Sequence, residues 1–344
     1  MYQLLTSTPS GLYCPAADVY IDPHKPVNKA LITHAHADHA RPNHKHYLAA
    51  QGNEHILKLR LGQHISLQTL PFSQTISING VNISFHPAGH IPGSAQIRLE
   101  HQGEIWVVSG DYKLNNDGIS TPFEPVKCHH FITESTFGLP VFRWTPQADI
   151  FNDIREYFHN NDENLIISAY SLGKAQRLIH HLQDLPLYVT KTIADTTQAL
   201  NRDGFNIFLP PIYPTTKNQR PTSKHILISS NPTDSRNPTP SESRHPTPNT
   251  QNIDTSPSPQ DPRHLTISCS GWMALRGSRR WGNFDRGFVL SDHADFQELE
   301  TACLATEAHT ISVTHGYSAV FARYLAEKHG LKTKVLKSTW ERME

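Results

Sequence analysis

Apolar positions change their period part-way along the chain. Up to about residue 138 they fall in short runs of strand type. Val19-Tyr20-Ile21 is a short strand ending at Asp22, and Ala30-Leu31-Ile32-Thr33 is an apolar run with a β-branched end, the mark of a buried strand. Thr75 to Ile78 and Val81 to Phe85 alternate about Asn79-Gly80, a strong hairpin signal. Ile105 to Ser109 runs into Gly110-Asp111, and Phe131-Ile132-Thr133 ends in Glu134. Helical spacing then takes over. Ile150, Ile154, Tyr157 and Phe158 share one face, Ala175, Leu178, Ile179 and Leu182 another, and Leu165 to Ser168 is a strand between them. This βα alternation predicts a parallel-sheet lobe inserted into the first domain.

From about Pro214 to Arg263 the pattern fades. Pro, Ser, Thr and Asn crowd out large apolar residues, a composition that cannot offset the entropy of ordering. It predicts a disordered loop, of which residues 232–260 could be deleted with folding and activity largely intact, although His225 to Ser229 reads as a strand or the remnant of one. Order returns at Leu265 to Ser268, at Gly287 to Leu290 and at Thr310 to Thr314. A last helix should place Val320, Phe321, Tyr324 and Leu325 on one face. No internal repeat is present.

At 344 residues the chain has room for about two domains. Lys+Arg and Asp+Glu are both 31, so no global basic field exists to hold nucleic acid, and any such contact must use local patches and bound metal. Cys14, Cys128, Cys269 and Cys303 are scattered, which argues against a disulfide framework and a thiolate zinc site. No charged segment followed by a long apolar run opens the chain, and no stretch approaches the roughly 18 apolar residues of a membrane span. A cytoplasmic protein without membrane contact is the expectation.

The chemistry gathers directly after the buried strand, at His34-Ala35-His36-Ala37-Asp38-His39. An extended backbone points His34 and His36 the same way. Asp38 and His39 follow where the chain leaves the strand, so they can face a second ion beside the first. Imidazole and carboxylate without thiolate suit Zn²⁺, or another divalent ion such as Mn²⁺, in a hydrolytic site. A His-rich surface loop would not place its histidines at alternate positions after an apolar strand.

This run resembles the H-x-H-x-D-H signature of the metallo-β-lactamase fold. Glu134-Ser135-Thr136, Ser291-Asp292-His293-Ala294-Asp295-Phe296 and Thr314-His315-Gly316 resemble the additional motifs of its β-CASP nucleases, which act on DNA or RNA. The short lobe and the last two motifs are most similar to bacterial ligase-associated DNA exonucleases. The resemblance implies an αββα core from residues 1–145 and 287–344, with a reduced β-CASP lobe at 146–286. It implies that His34, His36, His90 and Asp111 hold one metal and Asp38, His39 and His315 a second, with Asp111 bridging. It further implies that Asp38 orients the attacking hydroxide, that His293 is a general acid held by Glu134, and that Asp22 orients the metal loop, where an Asx turn is the alternative. Ser171-Leu172-Gly173-Lys174 opens a helix, so Ser171 and Lys174 either bind phosphate or simply cap it. Arg276, Arg279, Arg280 and Arg286 either track a phosphate backbone, with Trp272 or Trp281 stacking on a base, or form a solvated basic face. The implied partners are DNA in preference to RNA, and a DNA ligase and helicase in repair. The rival readings are an RNA-processing nuclease of the same fold and a small-molecule metallo-hydrolase, which should lack the Glu134 and His293 motifs.

Overall fold

A computed structural model describes residues 3–230, 264–276 and 284–336. The expected loop therefore lies outside the described residues from 231 to 263. The first sheet takes its strands in chain order: β1 (Thr6–Thr8), β2 (Gly11–Cys14), β3 (Val19–Ile21), β4 (Lys29–Ile32), β5 (His46–Ala50) and β6 (Leu67–Leu70). From β3 onward these strands are parallel. Helix α1 (Glu54–Leu61) lies between β5 and β6. The chain then forms β7 (Ile76–Ile78), β8 (Val81–Pro87), β9 (Ala95–His101), β10 (Glu104–Val108) and β11 (His130–Glu134). The expected hairpin at Asn79-Gly80 joins β7 to β8.

Helix α2 (Gln147–His159) opens the inserted region. Then follow β12 (Asn164–Ser168), α3 (Lys174–Leu182), β13 (Leu187–Val189), α4 (Lys191–Arg202), β14 (Ile226–Ser229), β15 (His264–Cys269) and β16 (Arg286–Phe288). These five strands make an all-parallel sheet in the order β13-β14-β12-β15-β16. The strand read at His225 to Ser229 is present as Ile226–Ser229, buried beside β12, because its four residues can be covered on both faces. One detail departs from the sequence reading. Arg286–Phe288 pairs with β15, so the chain leaves this sheet only after Phe288.

The chain ends with α5 (Phe296–Ala305), β17 (Thr310–Thr314), α6 (Ser318–His329) and β18 (Lys332–Val335), which complete a seven-stranded sheet in the order β18-β17-β11-β10-β9-β8-β7. The two larger sheets face each other across Leu31, Leu48, Phe85, Ile97 and Leu99. Alternate residues of β4, Ala30 and Ile32, point the other way and join α1 and the inserted helices in a second core. Phe131 and Val107 on the far face of the seven-stranded sheet pack against Phe296, Leu299, Phe321 and Leu325 of α5 and α6. The layers are therefore helix, sheet, sheet, helix. Val320 departs from expectation, since it is 50% exposed and only Phe321 and Leu325 of the expected face are buried.

This topology explains where the chemistry falls. β8, β10, β11 and β17 run in one direction, so the residues following them emerge at one edge, opposite the end of β4.

Candidate metal centre

His34, His36, His90 and Asp111 bring ligand atoms within 4.8 Å of one another, and Asp38, His39 and Asp111 form a second such group. His36 Nδ1 lies 3.1 Å from both His34 Nε2 and His90 Nε2. Asp111 Oδ2 stands 3.5 Å from His34 Nε2 and 3.4 Å from His39 Nε2, so one carboxylate oxygen serves both groups.

The groups behind these rings decide whether a cation fits. His36 Nε2 has the carbonyl of Leu172 at 3.1 Å, and His90 Nδ1 has that of Asp292 at 2.9 Å. A carbonyl only accepts, so each of these nitrogens carries the proton. Asp22 fixes the other two. It accepts from His39 Nδ1 (2.8 Å) and from Thr33 Oγ1 (2.6 Å), which leaves the Thr33 oxygen to accept from His34 Nδ1 at 3.1 Å. The inward nitrogens of His34, His36 and His90 are then bare lone pairs, crowded together in a buried place beside the Asp111 carboxylate. Such an arrangement needs a shared cation, and the donors fit a divalent ion of the zinc type.

Local structure builds each position. Asp22 follows β3 in a left-handed conformation (φ 42°), with its amide on Leu31 and its carboxylate on the Thr33 amide. Gly110 (φ 57°) makes the turn from β10 into Asp111, and a Cβ there would sit 2.7 Å from that of Thr33. His90 is held in a tight loop by Ser94, whose hydroxyl accepts from the amides of His90 and Ile91.

Burial drives His34, His36 and His90 toward the neutral form. His39 runs the other way. Burial opposes its charge, but Asp111 and Asp22 outweigh it and raise its pKa well above the ordinary value.

Glu134 and His293 stand beside this centre. His293 Nδ1 is 3.0 Å from both Glu134 oxygens, and Glu134, His293 and Asp111 lie within 4.8 Å of one another. Burial disfavours the His293 charge, yet the Glu134 and Asp111 carboxylates raise its pKa to about 9. Glu134 is itself fixed by the amide of Tyr112 and the hydroxyl of Thr136. The remaining motif residues interlock: Ser135 Oγ donates to the carbonyls of Thr314 and His315, and Asp295 caps α5 while accepting from the Trp144 amide. His315 takes a left-handed backbone (φ 58°). It stands further back than the other proposed ligands, with its ring centroid 6.0 Å from that of His39 and outside the two close groups.

His36, Asp38, His39, His90, Asp111, His293 and His315 line a cleft of about 460 Å³ between the core and the inserted sheet, together with Arg41, Phe137, Tyr170, Lys174 and Trp272. Trp272 is braced on Phe137 and Phe142 at centroid distances of 5.0 and 5.7 Å. The substrate residues expected from sequence fare unevenly. Ser171 does not line the cleft, and the N-cap of α3 is Gly173. Lys174 is 5% exposed with its ammonium 3.5 Å from Asp292, so much of its charge is already engaged. Arg286 lies over the rings of Tyr157 and Phe288, Arg276 is exposed, and Arg279, Arg280 and Trp281 fall outside the described residues. Sequence reading missed Arg177, which pairs with Asp292 at 3.4 Å; its position three residues after Lys174 on one helix face was the available signal.

No protein-family model matches the chain. It is 30% identical to a protein named probable DNA ligase from Opitutus terrae, over 92% of this chain and 30% of that protein. It is 29% identical to endoribonuclease ysh1 of Aspergillus fumigatus over 37% of this chain and 17% of that one. An RNase J-like protein of Methanocaldococcus jannaschii is 25% identical over 50% of this chain and 49% of its own. The chain thus spans less than half the length of these relatives. A crystal structure of a protein of unknown function from Enterococcus faecalis superposes with a TM-score of 0.57 at 10% identity, covering 90% of this chain and 79% of that one.

Proposed function

The chain belongs to the metallo-β-lactamase/β-CASP nuclease family, and from that premise we infer that it is a metal-dependent phosphodiesterase cleaving nucleic acid, acting on DNA as an exonuclease. The observation that carries the activity is the close grouping of His34, His36 and His90 with Asp111, which Asp38 and His39 share, and the Glu134–His293 pair beside it. Two divalent ions held there, Zn²⁺ by the chemistry of the donors, would lower the pKa of a water and neutralise charge on a phosphodiester. The side chains do the rest. Asp38, more than half exposed, is free to orient the attacking water from the cleft side. Glu134 holds His293 by Nδ1 and keeps it protonated near neutral pH, which leaves Nε2 to give its proton to the leaving oxygen.

The choice of DNA rests on the ligase-named relative, which matches 92% of this chain with 30% of its own length. That proportion supports a nuclease working beside a ligase. Among the described residues no helix is long and apolar enough to cross a membrane, and all four cysteines are buried free thiols, which suits a reducing, cytoplasmic compartment. The second reading, an RNA-processing nuclease, is favoured by the relatives named as ribonucleases.

Matched single-stranded DNA and RNA, labelled at either end and incubated with Zn²⁺ or Mn²⁺, test this directly. Progressive shortening of DNA that chelation abolishes is the expected result. Cleavage of RNA alone would overturn the substrate, and cleavage of neither would overturn the activity.

A further inference from the structure

Of the three imidazoles in the first metal group, His36 is oriented by the inserted region directly and His90 through Asp292, a residue that the inserted region grips. His36 donates to the carbonyl of Leu172, in the turn between β12 and α3. That turn is seated on the metal loop with no slack. Gly173 has φ 91°, and a Cβ on it would stand 2.3 Å from Cγ2 of Ile91, the neighbour of His90. His90 donates to the carbonyl of Asp292, and the Asp292 carboxylate is gripped from α3 by Lys174 and Arg177. Arg177 also donates to the carbonyl of Ser291 (2.6 Å) and to Gln147 (2.9 Å). All three charged side chains are at most 6% exposed. A buried ion triad adds little stability over a well-packed apolar substitute, so its presence here calls for another reason. Fixing the Asp292 carbonyl against His90 supplies one.

We propose that Leu172, Gly173, Lys174, Arg177 and Asp292 are positioning residues of the metal centre, so that docking of the inserted lobe and binding of the first metal are coupled. The lobe sets the proton positions of His36 and His90, and an ion bound by those rings holds the lobe in place; the coupling is reciprocal. Lys174 thereby has a structural partner instead of the phosphate expected from sequence. The inference rests on the reading of the four ligands as a metal site and is independent of the nuclease reading.

The test uses the full chain and Co²⁺ or Zn²⁺ alone. Arg177→Met and Gly173→Ala should each weaken one of two binding events by about 10- to 100-fold and shift the Co²⁺ visible spectrum, with Arg177→Lys recovering part of the loss. Glu300→Ala, which removes a contact between α5 and α6 away from both the lobe and the ligands, should lower the melting temperature and leave affinity and spectrum unchanged. Hydrogen exchange of the unmutated chain gives an arm that needs no variant: adding Zn²⁺ should slow exchange across residues 170–178. Wild-type affinity and spectrum in both α3-turn variants, or no change in exchange, would overturn the coupling. A chain that binds metal and shows the coupling but cleaves no nucleic acid would overturn the proposed activity alone.

Discussion

What lies behind each histidine of the candidate centre decides which ring nitrogen it can offer to an ion. Asp22 serves His39 directly and His34 through Thr33, at a backbone conformation that non-glycine residues rarely take. Asp22→Ala should leave the fold intact and lower affinity at the His39 site by about 10- to 100-fold, as read by chelator competition. The two sites should also part on acidification. A proton competes with metal for each imidazole, and His39, whose pKa is raised, keeps its proton to higher pH than His34, His36 and His90, whose pKa values are lowered. Lowering pH from about 8 to 5 should therefore release the ion at His39 first, with metal content passing through one equivalent. Simultaneous release would contradict this order. His293 and His315 should separate as well. His293→Ala should retain both ions and lose about 10²- to 10⁴-fold in rate on DNA, with much less loss on a nitrophenyl phosphodiester whose leaving group needs no proton. His315→Ala should lower metal content and activity together. Metal loss in His293→Ala, or equal losses on both substrates, would remove His293 from the acid role.

Helix α1 shows how an element can be completed from far away. Its N-cap residue, Asn53, donates its side chain to the carbonyls of Ala50 and Gly93 and leaves the helix amides unserved. Asp203, at the end of α4, accepts from the amides of His55 and Ile56 and from the His55 ring. The carboxylate also meets the positive end of the helix dipole. Asp203→Ala should cost about 1–2 kcal/mol in denaturant unfolding, the scale of a lost cap, without changing metal content. By contrast the β7–β8 hairpin needs only its own Asn-Gly turn and alternating residues, which is why it was readable in place.

At the scale of the molecule, topology changes what composition suggests about the segment from 231 to 263. A Pro-, Ser- and Thr-rich stretch invites deletion, but β14 and β15 lie on either side of β12 and run parallel to it. The chain must return from the end of one strand to the start of the other, a crossover that needs about a dozen residues. Removing 232–260 would leave residues 230, 231 and 261–263 between the two strands, too short a path. That deletion should unfold the parallel sheet, whereas a Gly/Ser linker of about 15 residues in the same place should preserve it. Circular dichroism and a denaturant midpoint for the two variants would distinguish length from composition; equal loss in both would show that the native residues themselves pack.

The amino-acid order by itself determined whatever depends on neighbours in the chain. The strand-to-ligand run at residues 30–39, the helical faces of α2 and α3, and the acid at the end of β11 all follow from local periodicity and side-chain chemistry. Tertiary structure decided the rest. A backbone carbonyl has no identity in the sequence, so nothing marked Leu172 or Asp292 as the acceptors that set His36 and His90. Arg177 and Asp292 are 115 residues apart, and only the docking of α3 makes a buried pair of them. A four-residue run such as Ile226–Ser229 becomes a strand only where β12 and β13 already stand to receive it, because the hydrogen bonds that stabilise it belong to its neighbours.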